Sequence, residues 1–348
     1  MRETAARNGW VDLQVNGFMG VDFSSPNLTE DDFVRACRLI RRRGTAVFLP
    51  TIITSPLRVY ERNLPLMARV MKRGEFRTLV PGFHVEGPFI SREPGAVGAH
   101  NPDWVRKPDL KFMARLMEAA DGLLRLITLA PEAPDAVSLI RWVSRRGVVV
   151  SLGHSLAGEE EIARAVKAGA RLVTHLGNGL PQLIHRHQNF IWAALANDDL
   201  SVMIIADGHH LPAAVIKTIL RVKGPERVIV TSDSSPVAGL PPGRYRVLGN
   251  SAVLEKSGRL YNPQKKCLVG SSATMARCMK FLRSLNLLDS RGLAMVGRTN
   301  ALKCLAGSVS QACGEQSHLP IVEHGGSIIL PETVRQQEAR GSTGVGWG

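Results

Sequence analysis

Aromatic residues make up only 5% of the 348 positions, and no basic arm alternates with them. Nucleic-acid stacking surfaces need that interleaving. The arginines are scattered (Arg41 to Arg43, Arg145 and Arg146, Arg221, Arg227), so no nucleic-acid partner is expected despite a net charge of +14. No apolar run reaches the ~18 residues of a membrane helix. The stretch from Thr45 to Ile53 is interrupted by Pro50, and Met1 to Trp10 has no apolar leader core, so a cytoplasmic chain with no membrane partner is expected. The five cysteines, Cys37, Cys267, Cys278, Cys304 and Cys313, are odd in number and lack a C-x-x-C pair, which fits a reducing compartment. No G-x-G-x-x-G or Walker loop is present, which argues against dinucleotide or ATP chemistry.

What is present is an alternation. Short β-branched runs (Trp10 to Val15, Ala46 to Pro50, Leu79 to Val85, Leu124 to Leu129, Val148 to Leu152, Arg171 to Thr174, Ser201 to Ile205, Arg227 to Thr231) are separated by stretches with apolar spacing of three or four. The latter predict helices over Glu30 to Arg42, Leu57 to Met71, Leu110 to Ala120, Ala136 to Arg145, Glu159 to Ala168 and Pro212 to Val222. Strand and helix in turn mean a parallel sheet, and about eight strands favour a closed barrel over an open doubly wound sheet. The segment from Gly239 to Gly270 reads as a β excursion before the final helix, and 335–348 as a disordered tail.

Several of these strands end in a residue that can bind a metal or move a proton: Gln14 and Asn16, Glu86, His154, His175, Asp207 with His209 and His210, and Asp233. In a parallel barrel the carboxyl ends converge on one mouth. Glu86, His154 and His175 then make a two-histidine, one-carboxylate set, the donor chemistry of a catalytic divalent ion. Asp233 would face it as a general base, although Ser234, Ser235 and Pro236 also suit a plain turn; Asp207, before Gly208, reads as a loop cap. Gly153-His-Ser-Leu-Ala157 nearly matches G-x-S-x-G. The residues alone therefore leave open a serine hydrolase built on Ser155, Asp207 or Asp233, and His318 or His324.

A co-linear series of motifs adds to this reading: Val11-Asp-Leu-Gln-Val-Asn-Gly17, Phe48-Leu-Pro-Thr51, Gly82-Phe-His-Val-Glu-Gly-Pro-Phe89, Gly98-Ala-His100, Gly153-His-Ser155, Thr174-His175, Ile205-Ala-Asp-Gly-His-His210, Val230-Thr-Ser-Asp233 and Gly270-Ser-Ser-Ala-Thr-Met275. From about Trp10 to Gly307 the sequence resembles the N-acetylglucosamine-6-phosphate deacetylases of the amidohydrolase superfamily. The resemblance implies an α/β fold, a (β/α)8 TIM barrel of the metal-dependent amidohydrolase type, that hydrolyses the acetamide of an amino-sugar phosphate. It implies Glu86, His154 and His175 as ligands of one divalent ion, zinc or else iron, manganese or cobalt. Asp233 matches the general acid and base, and His100 the group that polarises the carbonyl.

Asn178, Gly179, Arg186 and His210 match phosphate-contacting positions, some of which a neighbouring subunit supplies in the family, so a homodimer is implied. Gln14 and Asn16 stand where many amidohydrolases carry H-x-H, and neutral amides are poor ligands, which favours a single ion. Only about nine residues precede Trp10, and 308–334 shows weak β character, so the flanking β-sandwich is expected to be reduced or absent. Residues 1–9 then read as a lead, 10–307 as the barrel and 308–334 as a vestigial β segment. Thr174-His-Leu-Gly-Asn-Gly179 alters the usual His-x-x-Asn-Ala-Met pattern. The sugar could be gluco or galacto, and a non-catalytic sugar-phosphate-binding relative is the remaining alternative.

Overall fold

Thr29 starts the first helix, α1 (Glu30–Arg42), by accepting the Asp32 N–H at 3.1 Å. Three acidic residues in the first turn and Arg41 and Arg42 in the last complement the helix dipole, and Phe33, Ala36, Cys37 and Ile40 make the buried stripe. A buried apolar stripe likewise marks α2 (Leu57–Met71), α3 (Leu110–Ala119), α4 (Ala136–Ser144), α5 (Glu159–Ala168) and α7 (Ala213–Lys223), each within two residues of its predicted bounds. The structure, a computed structural model, describes residues 9–310, 323–324 and 327–328. Among these no helix is long and apolar enough to cross a membrane.

The strands are β1 (Trp10–Val15), β2 (Thr45–Ile53), β3 (Phe83–Glu86), β4 (Leu124–Leu129), β5 (Val149–Leu152), β6 (Ala170–Val173), β7 (Ser201–Ile205) and β8 (Val228–Thr231), each paired in parallel with its neighbour in sequence. A bridge between Val15 and Ser234 closes the ring, joined by a 2.7 Å hydrogen bond from Asn16 N–H to the Ser234 carbonyl. Buried Asp12 ties the same seam, accepting from the Thr231 hydroxyl at 2.7 Å and the Ser232 N–H at 3.0 Å. This is the expected (β/α)8 barrel.

Alternate residues along the strands point inward, as the two-residue period requires. At the amino-terminal end Val11, Leu13, Leu49, Leu126, Leu172, Met203 and Ile229 pack together, plugged by Ala301, Leu302 and Leu305. Above them lies a buried polar belt. The His84 Nδ1–H donates to the Leu13 carbonyl, its Nε2 accepts from Thr128 at 2.7 Å, and Thr128, Thr174 and Ser151 are linked at 2.7 and 2.6 Å. The strand ends stand on this belt.

Three local expectations are corrected. β2 runs on through Pro50 to Ile53, because the β1 register shifts there and the Val15 N–H is met by the Thr51 hydroxyl instead of a backbone carbonyl. β3 begins only at Phe83: Leu79 still belongs to the turns that follow α2, and Pro81 has no N–H to give a ladder. A helix, α6 (Phe190–Ala196), joins β6 to β7; at seven residues it is too short for an amphipathic period to show, and Asn189 caps it by accepting from Ile191 and Trp192 N–H.

The β excursion is real. It forms a four-stranded antiparallel sheet of β9 (Gly243–Val247), β10 (Asn250–Leu254), β11 (Leu260–Asn262) and β12 (Cys267–Leu268). It is followed not by one helix but by α8 (Met275–Ser284), α9 (Ser290–Ala294), a π-helical turn and α10 (Asn300–Ser310). The other sheets among the described residues are two-residue ribbons, Gly17–Phe18 with Val21–Asp22 and Glu323–His324 with Ser327–Ile328, so no β-sandwich flanks the barrel there. The expected tail and most of the lead and of 308–334 lie outside the described residues.

Candidate active site

Glu86 is the last residue of β3, while His154, His175 and Asp233 each stand two residues beyond the end of their strand. All three of the latter adopt positive φ, +52°, +31° and +48°. Residues other than glycine seldom do so, and the conformation costs on the order of 1–3 kcal/mol. It turns three strands abruptly, so that their side chains drop into the mouth instead of following the barrel wall. All four residues are buried.

The ligating atoms of Glu86, His154 and His175 lie within 4.8 Å of one another, the one such group of three or more among the described residues. Glu86 Oε1 is 3.2 Å from His154 Nε2 and 2.9 Å from His175 Nε2. The Ala96 carbonyl, 2.8 Å from His154 Nδ1, can only accept, so it fixes the proton on Nδ1 and leaves a lone pair on Nε2. Burial lowers the pKa of His175, which disfavours a second proton there. Both imidazole Nε2 atoms thus meet at one carboxylate oxygen, and a donor set of two imidazoles and one carboxylate suits a divalent transition ion.

Gln14 Nε2 donates to Glu86 Oε1 at 2.9 Å, and Asn16 Nδ2 to Asp233 Oδ1 at 2.7 Å. Both amides thus orient carboxylates with their N–H groups. Burial, then the charge of Glu86, pushes the Asp233 pKa well above its ordinary range against the pull of Asn16.

His100 is fixed from the other side. The Thr54 N–H can only donate, at 3.3 Å to Nδ1, and the Thr54 hydroxyl lies 2.8 Å from the same atom. The neutral ring therefore carries its proton on Nε2, which faces Glu86 Oε2 at 3.7 Å. Burial, with His154 alongside, holds its pKa at about 3, so it stays a neutral donor. A donor at this position can polarise a carbonyl but cannot ligate.

These residues form the floor of a cavity of about 650 Å³ whose walls include Asn178, Gly179 and His210. Asp207 caps its loop as expected, accepting the His209 and His210 N–H groups, and in addition holds His210 Nδ1 at 2.8 Å. Arg186 does not line the cavity of its own chain; it is exposed on the loop before α6. Ser155 is no nucleophile in this arrangement. Its hydroxyl donates to Glu132 at 2.6 Å and accepts from the Ala157 N–H, and no histidine among the described residues is hydrogen-bonded to it. His318 lies outside the described residues, as does the side chain of His324. Arg259, Tyr261, Lys265 and Lys266 also line the cavity, and the strand-end pattern could not reveal them because the excursion brings them in.

No family model matches the sequence. Individual relatives do. The sequence is 34% identical over 284 residues to the N-acetylglucosamine-6-phosphate deacetylase of Danio rerio, covering 79% of this chain and 69% of that one. The chain belongs to the N-acetylglucosamine-6-phosphate deacetylase family. It is also 31% identical over 267 residues to an N-acetylgalactosamine-6-phosphate deacetylase of Escherichia coli O157:H7, covering 76% and 69%. The crystal structure of the N-acetyl-D-glucosamine-6-phosphate deacetylase of Mycobacterium smegmatis superposes with a TM-score of 0.78 at 29% identity, over 86% of this chain and 78% of that one. In this family frame the altered Gly177-Asn-Gly179 turn stays at the cavity wall.

Proposed function

We propose that this chain is a metal-dependent hydrolase that converts N-acetylglucosamine 6-phosphate and water to glucosamine 6-phosphate and acetate. The observation that carries this is the convergence of Glu86, His154 and His175 on one point, with Asp233 and the His100 Nε2–H at the same floor, in a chain of this family. A divalent ion bound there, zinc in the first instance, supplies Lewis acidity toward the amide carbonyl and lowers the pKa of water.

The chain's own residues do the rest. Asp233 accepts the proton of the attacking water and returns it to the departing amine. His100 donates from Nε2 to the carbonyl oxygen as negative charge grows on it, a contact that strengthens in the transition state. Asn178, Gly179 and His210 bind the phosphate, and Arg186, exposed in its own chain, reaches the site of a second copy, which makes the working form a homodimer. The free cysteines Cys37 and Cys278 support a cytoplasmic setting for the reaction.

The test is acetate release from N-acetylglucosamine 6-phosphate and its galacto epimer, before and after chelation and zinc re-addition, with Asp233→Asn as control. Turnover that chelation abolishes, zinc restores and the variant loses supports the reading, and the ratio of the epimers names the sugar. Folded, zinc-loaded protein with no turnover of either epimer overturns it.

A further inference from the structure

Five charged side chains line the cavity, and they segregate. Glu86 and Asp233 lie at the floor, whereas Arg259, Lys265 and Lys266 are on the wall contributed by the β excursion. Arg259 is already engaged, with Glu255 at 3.3 Å and stacked 4.2 Å over Tyr261. Lys265 and Lys266 have no carboxylate within ion-pair distance among the described residues. The Lys265 ammonium lies 3.5 Å from the carbonyls of Ala99 and His100, at the lip beside the residue that faces Glu86.

The turn that holds these lysines is built from buried parts. Asn262, 2% exposed, accepts the N–H groups of Gln264 at 2.9 Å and Lys265 at 3.1 Å, which folds the chain back on itself after β11. Its amide donates to Asn250 at 3.2 Å, and Asn250, also buried, donates to the Ala99 carbonyl at 2.8 Å. Two buried asparagines therefore fasten the lysine turn to the His100 loop. Lys266 sits at a φ of +52°, where a non-glycine residue is strained.

We propose that Lys265 and Lys266 are specificity-determining residues that grip the phosphate of the substrate from the excursion wall, selecting phosphorylated over unphosphorylated amino sugar. The inference rests on the deacetylase reading. A hexosamine carries its C6 phosphate across the ring from its C2 acetamide, so an acetamide at Glu86, His154 and His175 directs the phosphate away from the two carboxylates and toward the rim. Ammonium groups on four-carbon stems act there as adaptable point charges. The grip supplies ground-state affinity, so it governs KM and leaves the chemical step to the floor.

The experiment measures kcat and KM for N-acetylglucosamine 6-phosphate, and, by calorimetry on the zinc-loaded protein, Kd for glucosamine 6-phosphate and for glucosamine. It uses wild type, the double variants Lys265→Ala/Lys266→Ala and Lys265→Arg/Lys266→Arg, and Arg246→Ala, which removes a charge from the same sheet outside the cavity lining. The alanine pair is expected to raise KM and the phosphorylated Kd by about 10- to 100-fold with kcat within about twofold, the arginine pair to restore most of it, and Arg246→Ala to change neither. An alanine pair that behaves like Arg246→Ala, or weakens both amines equally, overturns the proposal. A wild type that binds glucosamine 6-phosphate selectively through the lysines yet releases no acetate keeps the inference and sinks the deacetylase reading.

Discussion

Asn16 donates to Asp233 at 2.7 Å across the seam where the first and last strands of the barrel meet. The bond favours the ionised carboxylate and is opposed by burial and by the charge of Glu86, which together raise the Asp233 pKa. Removing it raises that pKa further. A base must be ionised to act, so activity falls as pH drops through its pKa. Asn16→Leu is expected to move the acid limb of kcat/KM to higher pH, read from pH–rate profiles of the two proteins. An acid limb that stays in place would show that Asn16 does not tune Asp233.

Gly179 adopts a φ of +63°, and a Cβ there would lie 2.9 Å from His154 Nδ1, the atom bonded to Ala96. A larger side chain must push the imidazole off that carbonyl and swing Nε2 away from Glu86. Gly179→Val, loaded with zinc as the probe ion, should therefore bind it about 10- to 100-fold more weakly than wild type, as for other disturbed supporting contacts, measured by elemental analysis after dialysis against graded chelator.

Ser155 spends its hydroxyl on Glu132 and Ala157. Ser155→Ala should retain acetate release within about threefold, the only cost being a drop in melting temperature from two lost hydrogen bonds of about 1 kcal/mol each. A loss of about a thousandfold would revive the serine-hydrolase reading.

Asp22, in the ribbon that follows β1, accepts the Ser24 N–H, yet burial pushes its pKa up to about 6. A carboxyl whose pKa is raised on folding holds its proton more tightly in the folded state. The stability it contributes is whole below the unfolded value near 3.8 and is lost as pH rises through about 6. Asp22→Asn should therefore gain stability relative to wild type on going from pH 4.5 to 7.5, by at most about 3 kcal/mol, in urea unfolding at the two pH values.

The barrel and most of its site were legible because parallel strands write their function at their carboxyl ends. Glu86, His154, His175 and Asp233 needed only the strand positions to be placed together, and the motif series placed His100. The left-handed turns at His154, His175 and Asp233 were not legible, because the sequence shows the residues and not the backbone that aims them. Nor was the cationic wall, since Lys265 and Lys266 lie some 30 residues beyond the last barrel strand and reach the mouth only through the pairing of β9 to β12. Arg186 matched a phosphate-contacting position of the family, and its own chain leaves it at the surface, outside the cavity lining.

The plug formed by Ala301, Leu302 and Leu305 leaves the barrel with a single opening. For the proposed reaction, both products would then have to leave through the mouth by which the substrate entered, and a side chain that narrows the mouth would slow entry and exit alike.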